Sequence, residues 1–377
     1  MRIVVSAPGR ACLFGEHMDW CGHSVIPAAI DARMYIEASP LPGSVTEVRS
    51  FKPFQTQASF DLRDIEIDPS SDLRYVGAVL RAMLLEKRMT TENALAIRFL
   101  KGEDLVKNAS AMESGRNFED LPVKKGLSSS AALCVAVAAA ADIVAGMPPS
   151  TRSLSANLLK NLERTVEGNL MRYANLAYIG ERKILGVNCG QMDQYASAYG
   201  GILSIDCSSE PAKVDRLKMK ATIPLVIGDT EQQKDTPRIL AWLGERFKKK
   251  EKLFMEGVDG IVRIVSDARK ELDKLDPNLK KVGELMNQNQ RYLSQNLNVS
   301  GECPISPSNL DKLVNAALDG GALGAKISGS GGGGCIVALC ENEMQQNQVA
   351  QAMEKTGGKA YSTSLAAKGI RIELLER

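Results

Sequence analysis

The chain has almost no net charge: 47 Lys and Arg against 45 Asp and Glu leave +2 over 377 residues. Such a balance supplies no long-range field toward nucleic acid or a membrane surface, so an anion site has to be local. Only two histidines occur, His17 and His23, which removes most histidine-based metal and triad chemistry. The eight cysteines (Cys12, Cys21, Cys134, Cys189, Cys207, Cys303, Cys335 and Cys340) never fall as C-x-x-C, which argues against zinc. Several sit in apolar runs, where reduced cysteine behaves as a small hydrophobe. There is no G-x-x-x-x-G-K-[ST] loop, no internal repeat and no low-complexity linker. Met1-Arg2-Ile3-Val4-Val5-Ser6 is a short strand-like run without the basic flank and apolar core of a signal peptide, so a cytoplasmic location is expected. The longest apolar stretch, 131–145, is mostly alanine, carries Asp142 and reaches about two-thirds of a membrane span, which reads as a buried helix of a soluble protein.

What is present is length enough for two domains, expected at 1–215 and 216–377. Strand patterns occupy 3–5, 33–38 and 95–99, with a helix over 75–85. A long helix is expected to start in the serine run near Ser129 and to stop before Gly146 and Pro148, and an amphipathic helix to cover 157–177. After a charged segment at 213–220 come a strand at 224–228, helices at 238–254, 258–275 and 279–297, a strand at 335–339, a helix from Asn342 and a strand at 369–374. Strands mixed with helices in both halves indicate an α+β architecture.

Two segments have the character of anion cradles. In Gly126-Leu127-Ser128-Ser129-Ser130-Ala131-Ala132 a glycine turn and three serines precede a helix, so free backbone N–H groups and hydroxyls converge on its positive end. One serine there would mean only an N-cap; three exceed what capping needs. Lys326-Ile327-Ser328-Gly329-Ser330 followed by Gly331, Gly332, Gly333 and Gly334 puts five glycines around one serine between two strand patterns. Such density suits close backbone approach to a ligand, the alternative being a flexible hairpin turn.

Two further segments carry the polar chemistry. Gly15-Glu16-His17-Met18-Asp19 crowds two carboxylates and an imidazole near Arg10, donors and acceptors suited to a polyhydroxylated ligand, or else a solvated loop. In Gly190-Gln191-Met192-Asp193-Gln194-Tyr195, Asp193 is the acidic residue of an otherwise uncharged run over 187–205. A carboxylate in such surroundings is either functional or the structural partner of an arginine.

In combination these segments resemble the GHMP kinases, which include galactokinase, homoserine kinase, mevalonate kinase and phosphomevalonate kinase; Ala7-Pro8-Gly9-Arg10 completes the first motif. The resemblance runs from about Ser6 to Leu339 and implies an α+β two-domain GHMP kinase fold, with a ribosomal protein S5 domain 2-like N-terminal domain and a ferredoxin-like C-terminal domain. It implies ATP bound over Lys124, Gly126, Leu127, Ser128, Ser129 and Ser130, with Gly329, Ser330 and Gly331 as a second wall. Lys124 would add charge near the triphosphate or point to solvent. Mg²⁺ is implied at Ser130 and Glu181.

Arg10, the run 15–20 and Cys189-Gly190-Gln191-Met192-Asp193-Gln194 are similar to the galactokinase branch. Carried over, Glu16, His17, Asp19 and Asp193 would hold sugar hydroxyls. Asp193 would orient or deprotonate the acceptor, and Arg10 would keep Asp193 ionised and stabilise the transferring phosphoryl group. Asp19-Trp20-Cys21-Gly22-His23 departs from the galactokinase Asp-Tyr-Asn-Gly-Gly, whereas Gly228-Asp229-Thr230 and Thr236 resemble mevalonate kinases. The expectation is a kinase acting on the anomeric hydroxyl of a monosaccharide or sugar acid, with no nucleic acid, no membrane partner and no sequence signature of oligomeric state. Mevalonate-type phosphorylation is the alternative, and a non-catalytic sugar and nucleotide sensor is the alternative of another class.

Overall fold

The computed structural model describes residues 2–51, 54, 56–108, 119–123, 125–147, 156–219, 223–298, 304–365 and 368–376. Its strands are β1 (Arg2–Phe14), β2 (Ser24–Pro40), β3 (Val45–Arg49), β4 (Gln57–Asp61), β5 (Leu95–Leu100), β6 (Glu119–Asp120), β7 (Leu203–Asp206), β8 (Lys213–Arg216), β9 (Leu225–Asp229), β10 (Gly324–Ser328), β11 (Cys335–Leu339), β12 (Lys359–Thr363) and β13 (Arg371–Glu376). The helices are α1 (Arg74–Leu85), α2 (Gly102–Asn108), α3 (Ser129–Gly146), α4 (Ala156–Gly168), α5 (Leu170–Tyr178), α6 (Met192–Tyr199), α7 (Thr236–Lys248), α8 (Lys252–Leu272), α9 (Leu279–Tyr292), α10 (Ser308–Asp319) and α11 (Glu343–Lys355). Two π-helical turns, Ile179–Ile184 and Leu293–Leu297, continue α5 and α9.

Two sheets organise the chain. The larger runs β13-β1-β2-β5-β3-β4, with β6 and β7 on β2 and β8 on β7; the smaller is β10-β11-β9-β12, antiparallel throughout. β1 and β2 are long and buried almost end to end, because helices cover the sheet and shield both strands from water. The expected second unit begins at 216 and runs to the chain end, yet the last strand, β13, lies in the first sheet beside β1. A buried cluster seals it there: the Ser6 hydroxyl donates to Glu373 and Arg33 Nε donates to Ser6 Oγ at 2.7 Å.

α3 is the alanine-rich stretch of the sequence. By length and composition it could cross a membrane, but 14 of its residues are buried against β1, β2, α1, α5 and α6. Small side chains let it lie close on the sheet, and its one acid, Asp142, accepts from Arg88 Nη2 at 2.8 Å and from the Tyr173 hydroxyl at 2.9 Å. Periodicity places the elements better than their breaks. The stretch expected as one helix over 157–177 divides at Asn169 into α4 and α5, and 238–254 divides at 249–251, where Lys250 adopts φ 50°.

The two sheets meet across the motifs. The Cys12 N–H donates to Ser328 Oγ at 3.0 Å, the Gly15 N–H to Asn289 Oδ1 at 3.1 Å, and Lys125 Nζ lies 2.8 Å from Asp229 Oδ2.

Candidate active site

The register of β1 on β2 shifts between Pro8 and Arg10, and a bulge of this kind re-aims the side chain that follows it. Gly9 makes the close approach possible, since a Cβ there would stand 2.7 Å from the Leu127 carbonyl oxygen, which accepts from the Arg10 N–H at 3.1 Å. Arg10 leaves the strand buried, its Nη2 2.6 Å from Asp193 Oδ1 and its Nε donating to the same oxygen at 2.8 Å. Its Nη1 donates to the Gly126 carbonyl at 2.9 Å. Burial, the largest single influence, pulls the guanidinium's proton affinity down, but the Asp193 charge and hydrogen bond together with Cys12 and Asp19 outweigh it and the net direction is upward. Asp193 stands in the first turn of α6, where the helix dipole favours an anion, and its side chain keeps 29 % exposure toward a cavity of about 1170 Å³.

That cavity gathers most of the residues expected from sequence: Arg10, Glu16, His17, Asp19, Gly126, Ser128, Ser129, Ser130, Glu181, Asp193, Gly329 and Ser330 all line it. The two cradles abut, since a Cβ on Gly329 would stand 3.2 Å from the Gly126 carbonyl oxygen. Ser128 precedes α3 at φ 62° and makes no cap, and its buried hydroxyl has no hydrogen-bond partner. Capping therefore does not explain the serine run, whereas an anion at the helix start would give this donor its acceptor.

Two expected residues, Leu127 and Gly331, do not line the cavity. The Leu127 side chain is buried in the core and only its carbonyl serves Arg10; Gly331 packs on Ile305, whose carbonyl oxygen lies 2.3 Å from where its Cβ would be. Lys124 lies outside the described residues.

Glu181 sits on a π-helical turn, an element frequent at functional sites, and is 3 % exposed. Gln194 Nε2 donates to its Oε2 at 2.5 Å and the Ser130 hydroxyl faces it. Burial raises its pKa to about 7. A buried carboxylate met only by neutral donors, beside a hydroxyl in the cradle, fits a hard cation. Among the described residues no cluster of three His, Cys, Asp or Glu side chains is present, so Mg²⁺ would take its remaining ligands from phosphate and water.

The expected acceptor residues prove to be engaged with protein. Glu16 and Lys326 form a fully buried ion pair joining the first motif to β10; Lys326 Nζ also donates to the Ile327 carbonyl at 2.7 Å. Glu16 Oε2 is buried without a hydrogen bond. His17, at φ 69°, accepts from Trp20 Nε1 at 3.3 Å and faces the Ser330 backbone. Burial lowers its pKa to about 4, so the imidazole is neutral at pH 7. Asp19 is pushed up to about 6, first by burial and then by the Asp193 charge, while the Trp20 and Met192 N–H groups pull it down. Gly190 makes room for it: a Cβ there would stand 2.2 Å from Asp19 Oδ2.

Sequence reasoning did not find Lys326 or Lys234, both in the C-terminal half. Lys326 reads as an ordinary strand residue, and Lys234 as one charge in the loop before α7. Thr236, noted only as a likeness, places its hydroxyl 3.2 Å from Ser330 Oγ.

Family models described as "GHMP kinases N terminal domain" and "GHMP kinases C terminal" match residues 112–201 and 268–359, and one described as "Galactokinase galactose-binding signature" matches 1–40. A mevalonate kinase of Pyrococcus furiosus is 28% identical over 377 residues, 99% of each chain. Among solved structures, Methanococcus jannaschii mevalonate kinase superposes with TM-score 0.69 at 21% identity, covering 97% of this chain and 99% of that one. Lactococcus lactis galactokinase complexed with galactose superposes with TM-score 0.71 at 20% identity, covering 98% and 95%. With both family domains in order on one two-domain fold, this chain belongs to the GHMP kinases and is a kinase that phosphorylates a hydroxyl.

Proposed function

We propose that the protein transfers the γ-phosphoryl group of ATP, with Mg²⁺, to the hydroxyl of mevalonate or a closely related hydroxy acid. The observation that carries the acceptor is the likeness to mevalonate kinase over essentially the whole chain. The relatives thus weigh toward the alternative rather than the sugar 1-kinase expected from sequence. The site agrees with that weight: Glu16 is committed to Lys326 and His17 to Trp20, so fewer groups remain to hold a ring of hydroxyls.

In this reading the phosphates lie over Gly126 and the start of α3; Ser130 and Glu181 would hold the cation, which would supply neutralising charge to the phosphate oxygens. Asp193, paired with Arg10, accepts the acceptor's hydroxyl proton. The oxygen forms its bond to the γ-phosphorus as the bond to the β,γ-bridging oxygen breaks, and ADP leaves. Arg10 stands against the developing phosphoryl charge.

A sugar acceptor remains the second reading on one observation: residues 1–40 match the galactose-binding signature, and Asp19 lines the cavity beside Asp193. ADP release with mevalonate, phosphomevalonate, hexoses, uronic acids and heptose phosphate separates the two. Turnover of mevalonate that tolerates Asp19→Asn within a few-fold supports the first; turnover of a sugar, with its KM raised by Asp19→Asn, replaces it with the second.

A further inference from the structure

Lys234 has no assigned part in the site, and its surroundings are unusual for a lysine. It comes from the loop before α7 and lines the same cavity as Arg10 and Asp193. Its Nζ lies 2.6 Å from where a Gly126 Cβ would be, 3.2 Å from that of Gly334 and 3.7 Å from that of Gly329. Both glycine-rich loops therefore give way around one ammonium, and side chains at these positions would fill its place.

An ammonium in such a position ordinarily has a carboxylate, yet among the described residues no ion pair or hydrogen bond engages Lys234. The nearby Asp229 pairs with Lys125 instead. Burial, and after it the Arg10 charge, disfavour its protonated form; Cys335, Asp193 and Asp229 favour it, but the net direction is downward, so the protein alone does not fully compensate the cation there. A charge with three donors, flanked by two backbone cradles and next to the Arg10–Asp193 pair, has the arrangement of a group waiting for a polyanion.

We propose that Lys234 is a catalytic residue of the phosphoryl transfer, its ammonium contacting the γ-phosphate oxygens from the C-terminal domain opposite Arg10. The assignment rests on the ATP reading of the cavity. It makes the second domain a direct participant in the chemistry rather than only a wall, because Lys234 lies between β9 and α7 in a loop whose Thr230 N–H donates to the Gly334 carbonyl at 2.9 Å, while Arg10 and Asp193 belong to the first.

The test compares ADP and AMP-PNP binding to the wild type, Lys234→Met and Lys234→Arg in the presence of Mg²⁺, together with steady-state turnover. Lys234→Met is expected to lower AMP-PNP affinity about 10-fold with ADP affinity unchanged, and kcat about 100-fold, with partial recovery in Lys234→Arg. Equal loss of ADP and AMP-PNP affinity would overturn the assignment in favour of a loop-holding role. Unchanged AMP-PNP affinity with a raised acceptor KM would overturn it in favour of an acceptor contact. As a measurement without a variant, acylation of Lys234 in the wild type should be blocked by Mg²⁺–AMP-PNP and not by AMP; labelling that ignores AMP-PNP contradicts the contact. Failure of the wild type to bind either nucleotide would sink the ATP reading itself, which is a different outcome from a wild type that binds both and a variant that behaves the same.

Discussion

Lys326→Met tests how the substrate loop is held. In the native protein the Lys326 ammonium and the Glu16 carboxylate are 0 % and 1 % exposed, so neither can exchange its partner for water. Removing the ammonium leaves a buried carboxylate and also strips a donor from the Cys12 and Ile327 carbonyls at 3.2 and 2.7 Å. Breaking a buried pair from one side costs about 3–5 kcal/mol, the same order as two unit charges about 4 Å apart at an effective dielectric of about 20. Urea denaturation of the wild type, Lys326→Met, Glu16→Gln and the double variant closes a cycle. The double variant should recover about half or more of the Lys326→Met deficit, because it no longer buries a charge alone. Activity gives a second readout: the pair positions the loop carrying His17 and Asp19, so acceptor KM should rise while ADP affinity stays. Additive single-variant costs would refute the buried pair as the tether between the two domains.

Three further outcomes follow from the titrating groups. With its pKa near 7 before the cation binds, Glu181 must lose a proton to ligate it, so Mg²⁺ affinity at fixed AMP-PNP should fall several-fold from pH 8 to pH 6. Glu181→Gln should weaken Mg²⁺ binding by about 10-fold or more and flatten that dependence, as read by Mg²⁺ titration of turnover. His17 is held near 4 against an unfolded value near 6.5, so its contribution is present above about pH 6.5 and is lost as pH falls toward 4. Denaturation at pH 7 and pH 5 should show a loss on the order of 1–2 kcal/mol that His17→Gln abolishes.

The sequence carried the motifs because each is local. Glycine and serine runs, a carboxylate in an uncharged run and an alanine helix are readable within about ten residues, and Arg10, Ser128, Ser130, Glu181 and Asp193, singled out from them, line one cavity. What escaped was set by distance along the chain. Lys326 and Glu16 lie 310 residues apart, and nothing in either segment announces the other. That pairing also changes the meaning of Glu16, from a free sugar ligand to a buried anchor. β13 was legible as a strand but not as the partner of β1, since a strand pattern does not state its sheet. The break at Asn169 was hidden because α4 and α5 keep apolar spacing on either side of it, and the kink is a matter of backbone rather than of pattern.

The measurement closest to the central claim is turnover of Asp193→Asn with mevalonate, ATP and Mg²⁺, beside AMP-PNP affinity of the same protein. Asparagine keeps the shape of the Arg10 contact and removes the proton acceptor and the charge. Phosphoryl transfer organised by the Arg10–Asp193 pair predicts kcat lowered by about 10³-fold or more with AMP-PNP affinity nearly unchanged. Turnover within a few-fold of the wild type would contradict it.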